Sequence, residues 1–429
     1  MIGNGRSRSG AACLRQTLVV ACALITACAS VEADDSAPPT VTVAPVSVPA
    51  PPTAAATTDA PETTEPSKTT DSPETTDPPD TTDQPDTTDP YETTDPYLTD
   101  PTEPATTDDT TVDTTARPPL GDPPTLARLA DAVAYLTPSN DAVSVTVWRD
   151  HKPIFAEASG TGATGQAVTP DTPLVLASVS KLVTALTVAR LVEHGDIALD
   201  APMPWALMGI AHDPGWDTVT PRELLAHSGG MPKVQNLWIN LPGTCRDPLT
   251  QVLAFPPAVS RGKWVYSNGN YCALGLFIEA VTGADRDDVA RLAVFDPIDV
   301  DGPHLSRDGL LPGDGPYREG VGRLERLGGA GTWIASTDDI AAMLDSVTDA
   351  DLETMVYPGI FTDQYGWGHT GTIDGAKSCA WVIENGRTVI VAIVAGNKPS
   401  TGGKVCDAVI PAVAADLGIW ADIPYRIPA

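Results

Sequence analysis

"LASVSKLVTALTVARLVEHG", residues 176 to 195, places Ser178, Ser180 and Lys181 at the head of an apolar-periodic run. Leu182, Ala185, Leu186, Val188, Ala189 and Val192 recur at helical spacing, and Gly195 stops the pattern. On a helix, Ser178 and Lys181 share one face with Cβ atoms about 5–6 Å apart. A lysine whose pKa is lowered there by burial or neighbouring cations can take the hydroxyl proton as the serine attacks a carbonyl. The same residues also suit an ordinary helix start, because a Ser-x-x-Lys arises about once by chance in a domain of this size. The rest of the chain has to decide between the two.

Outward from this run the texture changes on both sides. "TLARLADAVAYL" (125–136) has helical spacing, and "AVSVTVWRD" followed by "KPIFAEASG" reads as a β-hairpin turned at Asp150 and His151. From Asp196 to about residue 345, helical segments and Gly/Pro loops dominate. Strands then return as "YGWGHTGTI" (365–373) and "SCAWVIENGRTVIVAIVAGN" (378–397), the latter a hairpin joined at Glu384, Asn385 and Gly386. A last helical pattern, "VCDAVIPAVAADLG" (405–418), is weakened by Pro411. The expected fold class is therefore α+β: an antiparallel sheet flanked by the terminal helices, with a mostly helical domain inserted at about 174–345. Ser178 falls at the junction of the two parts, where clefts form.

Two more elements follow in order. "YSN", with Tyr266, Ser267 and Asn268, is the sole Tyr-x-Asn in the chain, and "HTG", with His369, Thr370 and Gly371, occurs once at the start of a predicted strand. Average composition yields about 0.3–0.4 and about 0.02–0.03 such occurrences, respectively. A second Ser-x-x-Lys, Ser260 to Lys263, contains Gly262 and follows "FPPAV", so it lacks the helix that the chemistry needs. Three elements in order, each on the required type of structure, favour Ser178 as a nucleophile.

Together these motifs resemble the serine β-lactamase and penicillin-recognising superfamily, in its branch of class C β-lactamases, D-alanyl-D-alanine carboxypeptidases and related esterases. "LLAHSGGMP", "YSNGNYCALG" and "GGAGTWIASTDDIAAM" are similar to further conserved segments of that branch, and the resemblance covers about residues 125–420. It implies a β-lactamase/transpeptidase-like fold in which Ser178 forms the acyl-enzyme, Lys181 shares its proton and Tyr266 relays that proton to the leaving group. Asn268 would hold the substrate amide, and His369, Thr370 and Gly371 would line the strand along which the substrate lies. The backbone N–H groups of Ser178 and Thr372 would form the oxyanion hole. No metal or organic cofactor is implied. His227 is expected to structure a loop, and Trp367 to pack. Where the branch's sister pattern has Lys-Thr-Gly, this chain has His369, implying a weaker, pH-dependent positive charge for a substrate carboxylate. That shifts weight from β-lactamase towards carboxypeptidase or esterase. A non-catalytic muropeptide or penicillin sensor would require a missing catalytic group, and none is missing.

The ends set the context. Arg6, Arg8 and Arg15 precede "TLVVACALITAC", an apolar run too short to span a bilayer, which reads as an export signal over residues 1–27. Its final "ITAC" resembles the bacterial lipobox, so Cys28 is the expected lipidation site and the protein is expected on the outer face of the cell membrane, held by its lipid anchor alone. Residues 28–121 are mostly Thr, Pro, Asp, Glu and Ala in loose repeats, too poor in large apolar groups to offset ordering entropy, and are expected to form a disordered tether. Between 29 and 121 lie 20 acidic and two basic residues, which supply −18 of the chain's net charge of −30. Residues 122–429 still carry −15, which argues against a nucleic-acid partner. The partner expected is a small-molecule or peptidoglycan-derived substrate, with the chain monomeric. After the signal the globular part keeps Cys245, Cys272, Cys379 and Cys406, an even set that reads as two disulfides with three possible pairings. Cys245 and Cys272 lie in the insertion, and Cys379 and Cys406 near the terminal strands, so local pairing within each part is expected.

Overall fold

The computed structural model describes residues 125–419, apart from 234, 240–242, 360 and 364–365. The leader, Cys28 and the acidic tether lie outside the described residues. Fourteen elements position the site: α1 (Ala127–Leu136), β1 (Ala142–Arg149), β2 (Lys152–Gly160), β3 (Leu174–Val175), α2 (Ser180–His194), α3 (Asn268–Thr282), β4 (His304–Leu305), β5 (Trp333–Ala335), α4 (Thr337–Asp345), β6 (Phe361–Asp363), β7 (Gly366–Ile373), β8 (Ala376–Ile383), β9 (Thr388–Ala395) and α5 (Gly402–Leu417).

Six strands form one antiparallel sheet in the order β2-β1-β9-β8-β7-β6. The β1–β2 hairpin turns at Asp150 and His151, both at positive φ, and the β8–β9 hairpin turns through Glu384, Asn385 and Gly386, also at positive φ. Every residue of β8 and β9 is buried, because both faces of the sheet are covered there. That double cover explains why these strands read as nearly continuous apolar runs rather than alternating ones.

On one face, α1 and α5 pack through Leu129, Val133 and Leu136 and through Val405, Val409 and Val413 onto Val143, Val145, Trp381, Ile390 and Val394. Leu126, which precedes α1, supplies no side-chain cap, and Asp416 at the end of α5 accepts from the Leu129 amide instead, at 3.1 Å. The end of α5 thereby supplies an acceptor to the first turn of α1. Pro411 lies within α5 without ending it, since the helix runs on to Leu417.

The other face carries α4 and the helical part. Thr337 at the start of α4 meets Ser144 and Thr146 of β1 at 2.8 Å each, a buried hydroxyl ladder, and Ser336 and Asp339 close a capping box there. The expectation of helices and loops between 196 and 345 missed β4 and β5, which join β3 in a second, three-stranded antiparallel sheet. Strands of two or three residues are too short to leave a periodic signal. Both disulfides join the expected partners, Cys245 with Cys272 and Cys379 with Cys406. The first ties the insertion's loop to α3, and the second ties β8 to α5.

Candidate active site

Ser178 lies in a one-turn 3₁₀ segment, Ala177–Val179, that leads into α2; the α-helix proper begins at Ser180. Residues three apart eclipse in a 3₁₀ turn, which brings the Ser178 and Lys181 side chains together. The turn is fixed at both ends. Leu176 exchanges backbone contacts with Trp333 of β5, donating to its carbonyl at 3.0 Å, while the Trp333 amide donates to Ser180 Oγ at 3.1 Å. Ser378 of β8 donates to the Leu176 carbonyl at 2.7 Å. Ala177 is held at φ 49°, a conformation that a non-glycine residue adopts only when its surroundings impose it.

Lys181 is fully buried, and its Nζ lies 3.0 Å from Ser178 Oγ, 2.9 Å from Asn268 Oδ1 and 3.0 Å from the Ala330 carbonyl. Burial holds its pKa well below the ordinary lysine value. Asn268 Oδ1 and the Ala330 carbonyl can only accept. A neutral amine therefore gives its two protons to them and turns its lone pair to the Ser178 hydroxyl. Tyr266 donates to Ser178 Oγ from the other side at 3.0 Å, and burial pushes its pKa up, so the phenol keeps its proton.

Two side chains assigned by sequence, those of Lys181 and Tyr266, thus converge on Ser178 Oγ. The acceptor at Ala330 was not foreseen. It comes from the "GGAGT" segment, where Gly329 sits so close to α3 that a Cβ would lie 2.5 Å from the Tyr271 carbonyl. Thr184 of α2 donates to the Gly329 carbonyl at 2.7 Å and helps to hold the segment. The pair of glycines was the available signal, since adjacent glycines mark a close backbone approach.

His227 and Ser267 are structural, in line with the sequence reading of His227. His227 Nδ1 accepts from Asn270 Nδ2 at 2.9 Å and from the Ser267 amide at 3.4 Å, tying its loop to the start of α3. Ser267 donates to the Pro232 carbonyl at 2.9 Å and caps α3. Trp367 packs at the core edge, as expected. Asn268 is buried, and its Oδ1 meets Lys181 Nζ at 2.9 Å.

The third motif needs correction in two respects. Thr370 lies opposite Cys379, and Thr372 Oγ1 accepts from the Gly402 amide of α5 at 2.9 Å. Cross-strand partners share a face, so both threonine side chains belong to the α5 face, while His369 and Gly371 face the insertion. What β7 offers Ser178 is its backbone edge and the absence of a side chain at Gly371. β6 pairs with β7 only over Gly366–Gly368, leaving the later edge, including Thr372, beyond the strand that covers it.

The second correction concerns charge. His369 is buried, with its ring 4.6 Å from that of Phe361 and 6.2 Å from that of Tyr266, and its Nδ1 donates to the Thr370 carbonyl. Burial, reinforced by Lys181, lowers its pKa to about 3. The expected pH-dependent cation is a neutral imidazole at physiological pH.

A Cβ at Gly371 would meet Ser378 Oγ at 2.2 Å, the Leu176 carbonyl at 2.6 Å and Ala177 Cβ at 3.0 Å. The strand can approach the turn that carries Ser178 only without a side chain there. Gly371→Ala should lower kcat about ten- to a hundredfold, from displacement costing about 1–3 kcal/mol. Unchanged kcat in a folded variant would show that β7 and the turn are not coupled.

Comparison with known proteins agrees with this geometry. The D-stereospecific amidohydrolase of a Streptomyces species shares the fold with a TM-score of 0.54 and 19% identity, covering 66% of this chain and 98% of that one. The D-amino acid amidase of Ochrobactrum anthropi SV3 gives 0.56 and 19%, covering 68% and 99%. Penicillin-binding protein 4 of Amycolatopsis lactamdurans is 31% identical over 142 residues, which span 32% of this chain and only 36% of that relative's length. The sequence model of the Beta-lactamase family matches residues 132–415, about two thirds of the chain and every motif that meets at Ser178. By that match and by its fold, the chain belongs to the beta-lactamase family, whose members include serine hydrolases.

Proposed function

We propose that this protein is a serine acyl hydrolase that cleaves amide, peptide or ester bonds of D-amino-acid derivatives through an acyl-enzyme on Ser178. The observation that carries the reading is the environment of Ser178 Oγ, which has Lys181 Nζ and Tyr266 OH each at 3.0 Å. Lys181 takes the serine proton as Oγ attacks the carbonyl. Tyr266 gives a proton to the departing nitrogen or oxygen and is resupplied from Lys181, so the serine proton leaves with the leaving group. On this reading the amides of Ser178 and Thr372 stabilise the tetrahedral oxyanion. Water then attacks the acyl carbonyl by the reverse relay. The D-amino-acid preference rests on the motif resemblance and on the names of the fold neighbours. A carboxylesterase role shares every one of these groups.

Mass spectrometry after exposure to a fluorophosphonate and, separately, to a penicillin tests the nucleophile and reports the acyl-enzyme lifetime. A fluorophosphonate adduct on the peptide carrying Ser178 is expected. Its absence would sink the assignment.

The "ITAC" signal and the acidic Thr/Pro tract support a place outside the cell membrane, with acylated Cys28 as anchor and residues 28–121 as an extended stalk. Cys28→Ser should move the protein to the soluble fraction with its specific activity intact. Membrane retention of that variant would place the anchor elsewhere.

A further inference from the structure

Six large apolar side chains stand exposed among the described residues, and three of them, Phe255, Val259 and Trp264, fall within one loop. Val259 is fully exposed and Phe255 is 70% exposed. The loop that presents them is tightly held. Trp216 Nε1 donates to the Phe255 carbonyl at 2.7 Å, the Ala258 amide to the Gly230 carbonyl at 2.9 Å, and the amides of Gly262 and Val265 to the carbonyls of Ser228 and His227 at 2.8 Å each. A pinned loop that keeps its apolar groups in water marks a surface for a partner. This one borders the catalytic centre, since the Trp264 ring lies 6.3 Å from that of Tyr266.

The charge of the surface narrows the partner. Residues 122–429 carry −15, yet 224–278 hold four basic residues, Lys233, Arg246, Arg261 and Lys263, against one acid, Asp247. Arg246 is spent on the Met208 carbonyl, and Arg261 on Glu223 and Thr218. Lys263 adjoins Trp264, and Lys233 follows the Ser228–Gly230 stretch to which the apolar loop is bonded; both lysines are exposed. The partner that fits is acidic and carries aromatic groups.

One stretch of this chain has that chemistry. Tyr91 and Tyr97 are the only aromatic residues between 29 and 121, and they stand in "DPYETTDPYLTDP", residues 89–101, with Asp89, Glu92, Asp95 and Asp100 and no basic residue. An extended Pro-rich chain has three residues per turn, so groups six apart share a face: Tyr91 with Tyr97, and Asp89 with Asp95. Aromatic-lined surfaces take such segments at low entropic cost, because the backbone is stiff before it binds. Residues 102–124 form a 23-residue link to the first described residue, with a reach of about 70 Å at about 3.1 Å per residue, against a radius of gyration of about 19 Å for a domain of this size.

We infer that residues 89–101 dock on the surface formed by Phe255, Val259, Trp264, Lys233 and Lys263, with the tyrosines on the apolar groups and the carboxylates on the lysines. Docking sets this segment beside the Tyr266 side of the site and leaves residues 28–88 as the stalk. The inference does not depend on the reaction at Ser178.

Carbodiimide crosslinking of the Cys28→Ser protein with its tether complete, read by peptide mass spectrometry, tests it. Lys233 and Lys263 should couple to Asp89, Glu92, Asp95 or Asp100 at least about fivefold more than to Asp77, Asp80, Asp108 or Asp109, acids on either side with no tyrosine beside them; that excess is the scale of one aromatic pair. Tyr91→Ser/Tyr97→Ser keeps every acid and should lose the excess, and Phe255→Ser should lose it from the other side. Equal yields along the tether, or an excess that survives the tyrosine substitutions, would overturn the inference. In a mixture of isotope-labelled and unlabelled protein, coupling mainly between copies would give the surface to a second copy. Sedimentation of the Cys28→Ser protein with phosphatidylglycerol vesicles, lost in Phe255→Ser, would give it to a membrane. Either result overturns the assignment to residues 89–101.

Discussion

Ser178→Ala is expected to abolish covalent labelling and to lower turnover of an activated ester by about 10³-fold or more, leaving only what oriented donors and binding provide. The substitution removes one half-buried oxygen and leaves the turn that presents it. Leu176, Ser180 and Ser378 hold that turn through contacts that do not involve Oγ. Lys181 keeps Asn268 and Ala330, so no buried cation is stranded. The melting temperature should therefore stay close to that of the parent while activity collapses. Intact-mass measurement and ester hydrolysis read the two effects separately. If turnover persisted, the attacking hydroxyl would have to be another one. The nearby candidates are poorly suited: Ser180 accepts from Trp333, and Ser267 is spent on capping α3 and on Pro232.

The strength of that prediction reflects which parts of the site the sequence could carry. Ser178, Lys181 and Tyr266 were legible because acyl transfer demands particular side chains at particular spacings, and the periodicity of 182–192 put two of them on one helix face. The sheet was legible for a related reason. Five of its six strands are eight or nine residues long, and the turns at 150–151 and 384–386 use residues suited to positive φ. The Ala330 carbonyl was not legible, because every residue has a carbonyl and only the fold decides which one meets Lys181. Phe361 was missed because it joins the site from a three-residue strand. The charge of His369 was misread because a residue's pKa belongs to its surroundings. The same letter in an exposed loop would titrate near 6.5, whereas the wall of Phe361 and Tyr266 removes the water that would solvate the cation.

Lys181→Met should lower kcat/KM by about 10³-fold, within the range that general-base removal produces, and should also change the shape of the pH profile. In the parent protein only the neutral amine can accept the serine proton. Burial holds the lysine pKa well below 10.5, so activity should rise with pH through that depressed value and then level off. Tyr266 is shifted upward by the same burial, so the phenol remains a proton donor beyond its ordinary range and the alkaline limb moves up. The profile is thus widened at both ends by one physical cause, removal of water from two groups that must be uncharged. In the methionine variant the acid limb should disappear, because its titrating group is gone. Stability should respond as well. Between the depressed folded pKa and 10.5 the unfolded chain binds a proton that the folded protein does not, so the Lys181 contribution to stability increases with pH across that window. Methionine should flatten that part of the stability curve. It also removes the donor to Asn268 Oδ1 and to the Ala330 carbonyl, at about 1–3 kcal/mol for each buried acceptor left unmet. Denaturant unfolding of both proteins at several pH values separates these effects. A variant that kept the parent's acid limb would show that the limb belongs to a different group, and the general base would have to be sought away from Lys181.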